Sequence, residues 1–590
     1  MILNGGTEMR KQTYEKTISK LDVLTKEWGK AKIYLVGGCV RDSLLGVGVK
    51  DIDLMIDLEN GPALFCDWLE KNGKAKNFVT YPRFGTAHFD IVVNGKDIPI
   101  ECVMPRRETY NNGPRKPDSI EYASLKEDAQ RRDFCCNALY QDVETLEILD
   151  PTDKGAEDIK SKILRTPLPA AQTFRDDPLR MLRAFRFWAE KDFQIHPDVM
   201  SEIKPYPEYE QLSMERVNSE FVRILKSKKA AEIIRELHQT GLLGYIIPEF
   251  EEAWGFNQNS HYHSMNLTDH SLAVLDNIRR TGEVFKMAAL LHDISKYQKF
   301  EVKDNGEFSY HGHDKESAKM SVSILKRLKW SSEDIERVEK MISCHMILKP
   351  FRDPVTGVYN GSAKVTRRIV RELGDEMEAC LDLIDADNIS HSPQYNMPLQ
   401  VTSFYNSLSK LGKVPIVRSC PVSGNLIMEK FGLKPGPVIK EVKEIMLDWL
   451  DENPELGVED LMNKFEGEYG GKGLWVWKES RDIFALTLTE PMKGMDGEIT
   501  IRPYEYPYTI EKGGVELKDW KEWWNAIEHP KIYSAVMRSK LARSIFDQAA
   551  DILAGLEKIP GFRQVRMELD SYNDLSGTIE WEDLKPDYIL

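Results

Sequence analysis

Residues 33–46, IYLVGGCVRDSLLG, constrain this chain more than any other stretch. Four apolar residues run into two glycines and then into a helix-like segment, the pattern of a strand that turns sharply into a helix N-terminus. Such a junction gathers free backbone N–H groups and the positive end of a helix at one point, and Gly37 and Gly38 let the backbone approach a triphosphate closely. Arg41 adds a fixed cation. One helix later comes DIDLMID, residues 51–57, an alternating strand. Asp51 and Asp53 are two apart, so a strand projects both from one face, where they can share divalent metal ions. Two further strand-like segments, TAHFDIVVNG and DIPIECVM, complete a small mixed α/β head, and Glu101 on the second is the candidate third carboxylate.

At 590 residues the chain exceeds what one hydrophobic core supports, and its 41% hydrophobic and 30% charged composition is that of a globular, multidomain protein. A formal net charge of −15 excludes indiscriminate nucleic-acid binding, because phosphate affinity comes from Lys and Arg. An RNA site must therefore be a local basic patch. Candidates are the N-terminal run Arg10, Lys11, Lys16, Lys20, Lys26, Lys30 and Lys32, and the cluster Lys226, Lys228 and Lys229. The eight cysteines (Cys39, Cys66, Cys102, Cys135, Cys136, Cys344, Cys380, Cys420) are scattered without a CxxC pair and read as reduced thiols. No apolar run is long enough to span a bilayer and the N-terminus lacks a signal peptide's apolar core, so the expected location is the cytoplasm.

Along the chain the expected fold is α+β and multidomain. A helical lead (1–30) precedes a palm-like head (31–150), a helical neck (151–258), a helical histidine-bearing region (259–395) and a helical tail (396–467). The neck and its neighbours show apolar residues at three and four spacing, as in DDPLRMLRAFRFWAE. Beyond EGEYGGKG the pattern alternates again, with Trp520, Trp523 and Trp524 further on, and 468–590 reads as a terminal module of mixed β and α content.

The string LVGGCVRDSLLGVGVKDIDLMI resembles the first motif of the class II tRNA nucleotidyltransferase and bacterial poly(A) polymerase superfamily. ECVMPRRETY, RRDFCCNALY, LDPTDKGAEDIKSKILRT, DDPLRMLRAFRF and ERVNSEFVRIL follow in the family's order, so the resemblance covers residues 31 to about 235. It implies that Arg131, Arg132, Asp133 and Asn137 recognise the ribose, and that Asp177 and Arg180 read the incoming base. A carboxylate accepts from an exocyclic amine and a guanidinium donates to ring nitrogen or carbonyl, so one such pair can serve C and A. Arg183 and Arg186 follow at helical spacing and can face the triphosphate or the RNA. Glu215, Arg216 and Glu220 match a motif that braces the neck helices. Cys135 and Cys136 depart from the family's more usual Thr and Ile, and Asp176 stands where Glu is common.

His270, the adjacent His292 and Asp293, His313, His345 and Asp387 form an ordered imidazole and carboxylate series suited to first-row divalent metals. Their spacing resembles the HD phosphohydrolase superfamily. The resemblance implies His270, His292, Asp293 and Asp387 on one ion and His313 and His345 available to a second, with Asp385 competing for the last position. It also implies phosphatase, 2′-nucleotidase or 2′,3′-cyclic phosphodiesterase activity with a metal such as Mn2+ or Ni2+.

The expected function is template-independent addition of CCA to tRNA from CTP and ATP with Mg2+. Poly(A) synthesis, partial CC or A addition, and non-enzymatic binding of structured RNA are the alternatives.

Overall fold

The computed structural model describes residues 2–49, 51–109, 119–412, 419–431 and 435–469, together with five strands beyond them. The chain forms two compact units, residues 1–359 with 375–403, and 360–374 with 404–590.

In the first unit α1 (Ile2–Trp28) leads into β1 (Ile33–Val36), α2 (Gly38–Leu44), β2 (Ile52–Ile56) and α3 (Gly61–Lys71). Next come β3 (Lys76–Tyr81), β4 (Thr86–Val93), β5 (Lys96–Val103), β6 (Arg106–Thr109), β7 (Ser119–Tyr122) and α4 (Leu125–Gln130). β8 (Tyr140–Asp142) and β9 (Ile148–Leu149) close a seven-stranded sheet in the order β3-β4-β5-β2-β1-β8-β9. β1 is buried along its whole length, as its unbroken apolar run requires of a central strand. β2 and β5 run parallel, and their register sets Asp53 beside Glu101 and Leu54 beside Cys102. The pleat thus sends the two acids to one face and the apolar residues to the other.

The sheet is larger than the sequence suggests. β3 is missed because almost every residue in it is exposed, so it lacks a buried face. β8 and β9 are missed because they are only three and two residues long.

The neck is built from α5 (Gly155–Ser161), α6 (Ala170–Asp176), α7 (Leu179–Lys191), α8 (Pro197–Met200), α9 (Met214–Leu225), α10 (Ala230–Gln239), α11 (Leu243–Ile246) and α12 (Pro248–Glu252). Its pattern is helical, with a two-residue parallel pair, β10 (Ile163–Leu164) and β11 (Gln194–Ile195), between helices. α7 presents Met181, Leu182, Phe185 and α9 presents Val217, Phe221, Ile224, all buried, at the spacing of one helix face.

The histidine-bearing region comprises α13 (Leu267–Asn277), α14 (Glu283–Leu291), the hairpin β12 (Glu301–Val302) and β13 (Phe308–Ser309), α15 (His313–Arg327), α16 (Ser332–Cys344) and α18 (Met377–Ile389). α17 (Ala363–Leu373) departs from the expected 259–395 boundary: it belongs to the second unit, where Arg371 pairs with buried Asp451 of α21 (Pro437–Glu452) at 2.6 Å. α20 (Gly424–Phe431), α21 and α22 (Val458–Tyr469) share a core of Ile427, Met446, Leu450 and Phe465. Beyond it lie a three-stranded and a two-stranded antiparallel sheet, while the tryptophans at 520, 523 and 524 lie outside the described residues. All eight cysteines are free, as their scattered positions suggested.

Candidate nucleotidyl-transfer site and histidine–aspartate centre

Gly37 caps α2 with φ 69°, a left-handed conformation that favours glycine. A Cβ on it would lie 3.5 Å from Arg132 Nη1 and 3.8 Å from Asp53 Oδ2, so the turn abuts both an acid and a cation. A cavity of about 710 Å³ opens here. Its lining includes Gly37, Gly38, Arg41, Asp51, Asp53, Arg132, Asp133 and Asn137 from the head, with Arg183, Arg186, Lys191, Arg223 and Lys226 from the neck.

The acids form a repelling group. Burial first, then Glu101 and Asp51, push the Asp53 carboxyl up to about 6, against the opposing pull of Arg132. An all-oxygen set whose negative charge is under-compensated suits a hard divalent cation.

The cations are held by a continuous network. Arg41 is buried, donates through Nη1 to Asn137 Oδ1 at 2.6 Å and through Nε to Asp42 Oδ1 at 2.8 Å, and lies 4.9 Å above the Phe187 ring. Asn137 Nδ2 donates to Asp133 Oδ1 at 2.9 Å, and Arg183 donates to Asp133 Oδ2 through Nε and Nη2 at 2.9 and 2.7 Å. Burial works against an ionised Asp133, yet Arg183 and Asn137 hold its carboxyl well below the usual range. Arg186 Nε lies 3.1 Å from Glu220 Oε2. Lys191 pairs with Asp42 at 3.1 Å.

Asp177 and Arg180 lie outside this lining, and their side chains do not pair with each other. Asp177 accepts from Arg216 Nη2 at 2.9 Å, while Arg180 donates to the Arg131 and Thr173 carbonyls at 2.6 and 3.2 Å. Arg131 and Arg132 both donate to Asp128, a buried acid that sequence reasoning missed. Nothing in LKEDAQ distinguishes Asp128 from the solvated acids around it.

The basic patches are partly spent on structure. Lys16 bonds Asn94, Lys20 bonds the Val92 carbonyl, Lys26 pairs with Asp22, and Lys229 pairs with Asp192. Lys226 pairs with Glu283 but still lines the cavity. The side chains of Arg10 and Lys11 lie outside the described residues.

A second cavity of about 410 Å³ is lined by Asp293, His313, His345 and Asp387 among others. His292, His313 and His345 each place Nδ1 on a backbone carbonyl three residues earlier, at 2.9, 2.6 and 2.7 Å. A donating Nδ1–H leaves Nε2 as the free lone pair, and all three Nε2 atoms turn toward Asp293, at 3.1, 3.1 and 3.6 Å. His270 Nε2 lies 3.1 Å from Asp387 Oδ1 and 3.6 Å from Asp293 Oδ2.

Two triads that could each hold a metal ion therefore share Asp293: His270, His292 and Asp293, and Asp293, His313 and His345. His292 Nε2, His313 Nε2 and Asp293 Oδ1 are buried without an aligned hydrogen-bond partner, so their lone pairs converge on a position that fits a metal ion. Asp385 instead pairs with Arg279 at 2.8 Å, which leaves Asp387 as the aspartate at the cluster. Four residues here escaped the sequence reading: Lys296 on Asp293 at 2.7 Å, Lys349 on Asp387 at 3.1 Å, His391 at 3.6 Å from Asp387, and His263, whose ring lies 4.8 Å from that of His270. Single histidines and lysines carry no periodic signal, so only the order of the histidine and aspartate series was legible.

Residues 33–165 match the family described as "Poly A polymerase head domain", 192–253 match "Probable RNA and SrmB- binding site of polymerase A", and 262–386 match "HD domain". The chain belongs to the class II CCA-adding and poly(A) polymerase superfamily and carries an HD domain. This nucleotidyltransferase is 28% identical over 462 residues to tRNA nucleotidyltransferase cca1 of Schizosaccharomyces pombe, covering 73% of this chain and 90% of the relative. It is 28% identical over 434 residues to the A-adding tRNA nucleotidyltransferase of Deinococcus radiodurans, covering 69% and 89%. Its fold resembles the CCA-adding enzyme of Bacillus stearothermophilus solved with CTP, with a TM-score of 0.53 at 20% identity over 77% of this chain and 98% of that one. Among the described residues no helix is long and apolar enough to cross a membrane.

Proposed function

We propose that this nucleotidyltransferase completes the 3′ end of tRNA with CCA in the cytoplasm, drawing on CTP and ATP. The observation that carries the reading is the meeting of Asp51, Asp53 and Glu101 with a Gly-Gly helix N-terminus and a wall of arginines. Gly37, Gly38 and the start of α2 offer backbone N–H groups to the triphosphate, and Arg41, Arg183 and Arg186 neutralise it. Arg131, Arg132, Asp133 and Asn137 hold the ribose. Asp177 and Arg180 read the pairing edge of the base, for which they exchange their present partners Arg216 and the Arg131 and Thr173 carbonyls.

Asp51 and Asp53, with Glu101, would hold divalent cations, Mg2+ in this reading; when bound, these supply charge that eases deprotonation of the primer and stabilises the α-phosphate. The primer's 3′ oxygen forms a bond to the α-phosphorus, the bond to the bridging oxygen breaks, and pyrophosphate leaves. With tRNA lacking its 3′ end, CTP alone is expected to yield CC ends and CTP with ATP a complete CCA. Addition of A only to tRNA already ending in CC would make it an A-adding enzyme. Long A tails on tRNA or on unstructured RNA would overturn the reading in favour of poly(A) synthesis.

The HD domain, in the same proposal, is a metal-dependent phosphohydrolase. His270, His292, Asp293 and Asp387 would hold one ion and His313 and His345, sharing Asp293, a second, with Mn2+ or Ni2+ as the metal. Hydrolysis of 2′,3′-cAMP that depends on Mn2+ or Ni2+ and disappears in His292→Ala and Asp293→Ala is the expected result. Equal activity in parent and variants would defeat this part.

A further inference from the structure

Two exposed tyrosines stand at the cavity that holds the histidine–aspartate cluster. Tyr262 and Tyr395 both line it, and they keep 37% and 36% of their surface in solvent. The cluster itself lies deep: Asp293, His345 and Asp387 line the same cavity and are buried. The two tyrosine rings are 5.1 Å apart and their planes cross at 69°. His261 backs them, its ring 3.9 Å from that of Tyr262 and 5.0 Å from that of Tyr395, and its Nδ1 lies 2.7 Å from Glu307 Oε1.

The rings are held by the backbone of the site. The Tyr262 carbonyl accepts from the Ser392 N–H at 3.1 Å and from the Ser392 hydroxyl at 2.9 Å, and the Tyr395 N–H donates to the Ser392 carbonyl at 2.8 Å. Tyr262 directly precedes His263, whose ring lies 4.8 Å from those of His270 and His391. The aromatic corner is therefore tied to the cluster through both of its chain segments. Lys303 and Arg352 add cations to the lining, and Arg352 Nη1 donates to the Lys349 carbonyl at 3.1 Å.

We propose that Tyr262 and Tyr395 form a nucleobase platform, which selects nucleoside phosphates over other phosphate esters at this centre. The proposal rests on the phosphohydrolase reading of the HD domain and names what that site recognises beyond phosphate. Buried acids and histidines with cations beside them recognise a phosphate and are indifferent to what the phosphate carries. Selection must come from the rim. Ring faces left in water at a concave site gain by stacking on a base, and the stacking tolerates any base because every base has a π-face. With the rings crossed at 69°, a base lying on the face of one meets the edge of the other, a favoured edge-to-face arrangement. The cavity, about 410 Å³, falls in the size range of sites that enclose a whole small ligand. Because the rings are already fixed, stacking on them costs little conformational entropy.

The test compares 2′,3′-cAMP with glycerol 1,2-cyclic phosphate, which carries the same reacting group and no base, in the full-length parent, Tyr262→Leu, Tyr395→Leu, Tyr262→Phe and Tyr395→Phe. Each Leu variant is expected to lower the ratio of kcat/KM for 2′,3′-cAMP over the baseless ester roughly ten-fold, through a higher KM for 2′,3′-cAMP rather than a lower kcat. The Phe variants keep the ring and are expected to restore most of the ratio. The ratio is taken within one preparation, so a misfolded fraction cancels. Calorimetric titration of the same two compounds with chelator present, where nothing is hydrolysed, is the second readout. The parent should bind 2′,3′-cAMP roughly ten-fold more tightly than the baseless ester, and the Leu variants should lose the difference. The nucleotidyl-transfer cavity shares no lining residue with this one, so a change between parent and Leu variant reports this site. Where the parent hydrolyses the esters, a parent-like ratio in both Leu variants, or no preference in the parent, overturns the proposal. A parent that hydrolyses neither defeats the phosphohydrolase reading beneath it; the titration then decides the platform alone, and equal binding of both compounds, or binding of neither, overturns it.

Discussion

Asp53 bears charge repulsion in the folded chain that a cation held there would relieve. Its carboxyl is raised to about 6 by burial, Glu101 and Asp51, so the folded state holds the proton more tightly than the unfolded chain does. The stability tied to that proton is present below the ordinary carboxylate range and is lost as the pH rises through 6. Without divalent ions, Asp53→Asn is therefore expected to raise the melting temperature at pH 7, by on the order of 1 kcal/mol in stability, and to gain nothing at pH 4. The same variant should abolish nucleotide transfer. A calorimetric scan at the two pH values with chelator present checks this, and a lower melting temperature at pH 7 would contradict it. Gly37 belongs to the same scale: Gly37→Ala forces a left-handed φ on a residue with a Cβ beside Arg132 and Asp53. It should cost about 1 kcal/mol of stability and raise the KM for nucleotide while the affinity for tRNA holds.

Between elements, α7 and α9 meet across apolar residues and one buried ionic contact. Glu220 of α9 is the counter-ion of Arg186, and both are buried. Burial already pushes the Arg186 guanidinium down to about 10 in spite of Glu220. Glu220→Ala leaves that cation unpaired, and a loss of about 3 kcal/mol in urea unfolding is expected. A loss below about 1 kcal/mol would mean that solvent reaches Arg186. α4 offers a milder case. Ser124 and Glu127 close a capping box at its start, so Ser124→Ala should cost about 1 kcal/mol and disturb the helix that carries Asp128.

In the whole molecule, the two cavities share no lining residue. His292→Ala should thus end 2′,3′-cAMP hydrolysis and leave completion of tRNA near the parental rate, and Asp53→Ala should do the reverse. Loss of both activities from either substitution would show that the sites depend on each other.

Much of this is legible in the amino-acid sequence. The Gly-Gly turn, the paired aspartates and the helical periodicity of the neck are patterns in which neighbours along the chain remain neighbours in space. The order of histidines pointed to the HD domain for the same reason, since LLHDIS keeps His292 and Asp293 adjacent. The partner of Asp53, however, is 48 positions later in the parallel register of β2 with β5, and no local pattern specifies a parallel pairing. Asp385 and Asp387 are two apart on α18 and so point to opposite sides of it, and only packing decides that Asp387 faces the histidines. Asp128 looks like any surface acid until two arginines and a tyrosine close over it. α17 carries strong helical periodicity, but its place in the second unit comes from Arg371 finding Asp451. The sequence by itself thus determined the longer, periodic elements and the chemical repertoire, because those depend on short-range geometry, while the exposed β3 and the very short β8 and β9 left no local pattern. Tertiary structure alone decided which charges are buried together, because burial and pairing depend on residues far apart in the chain.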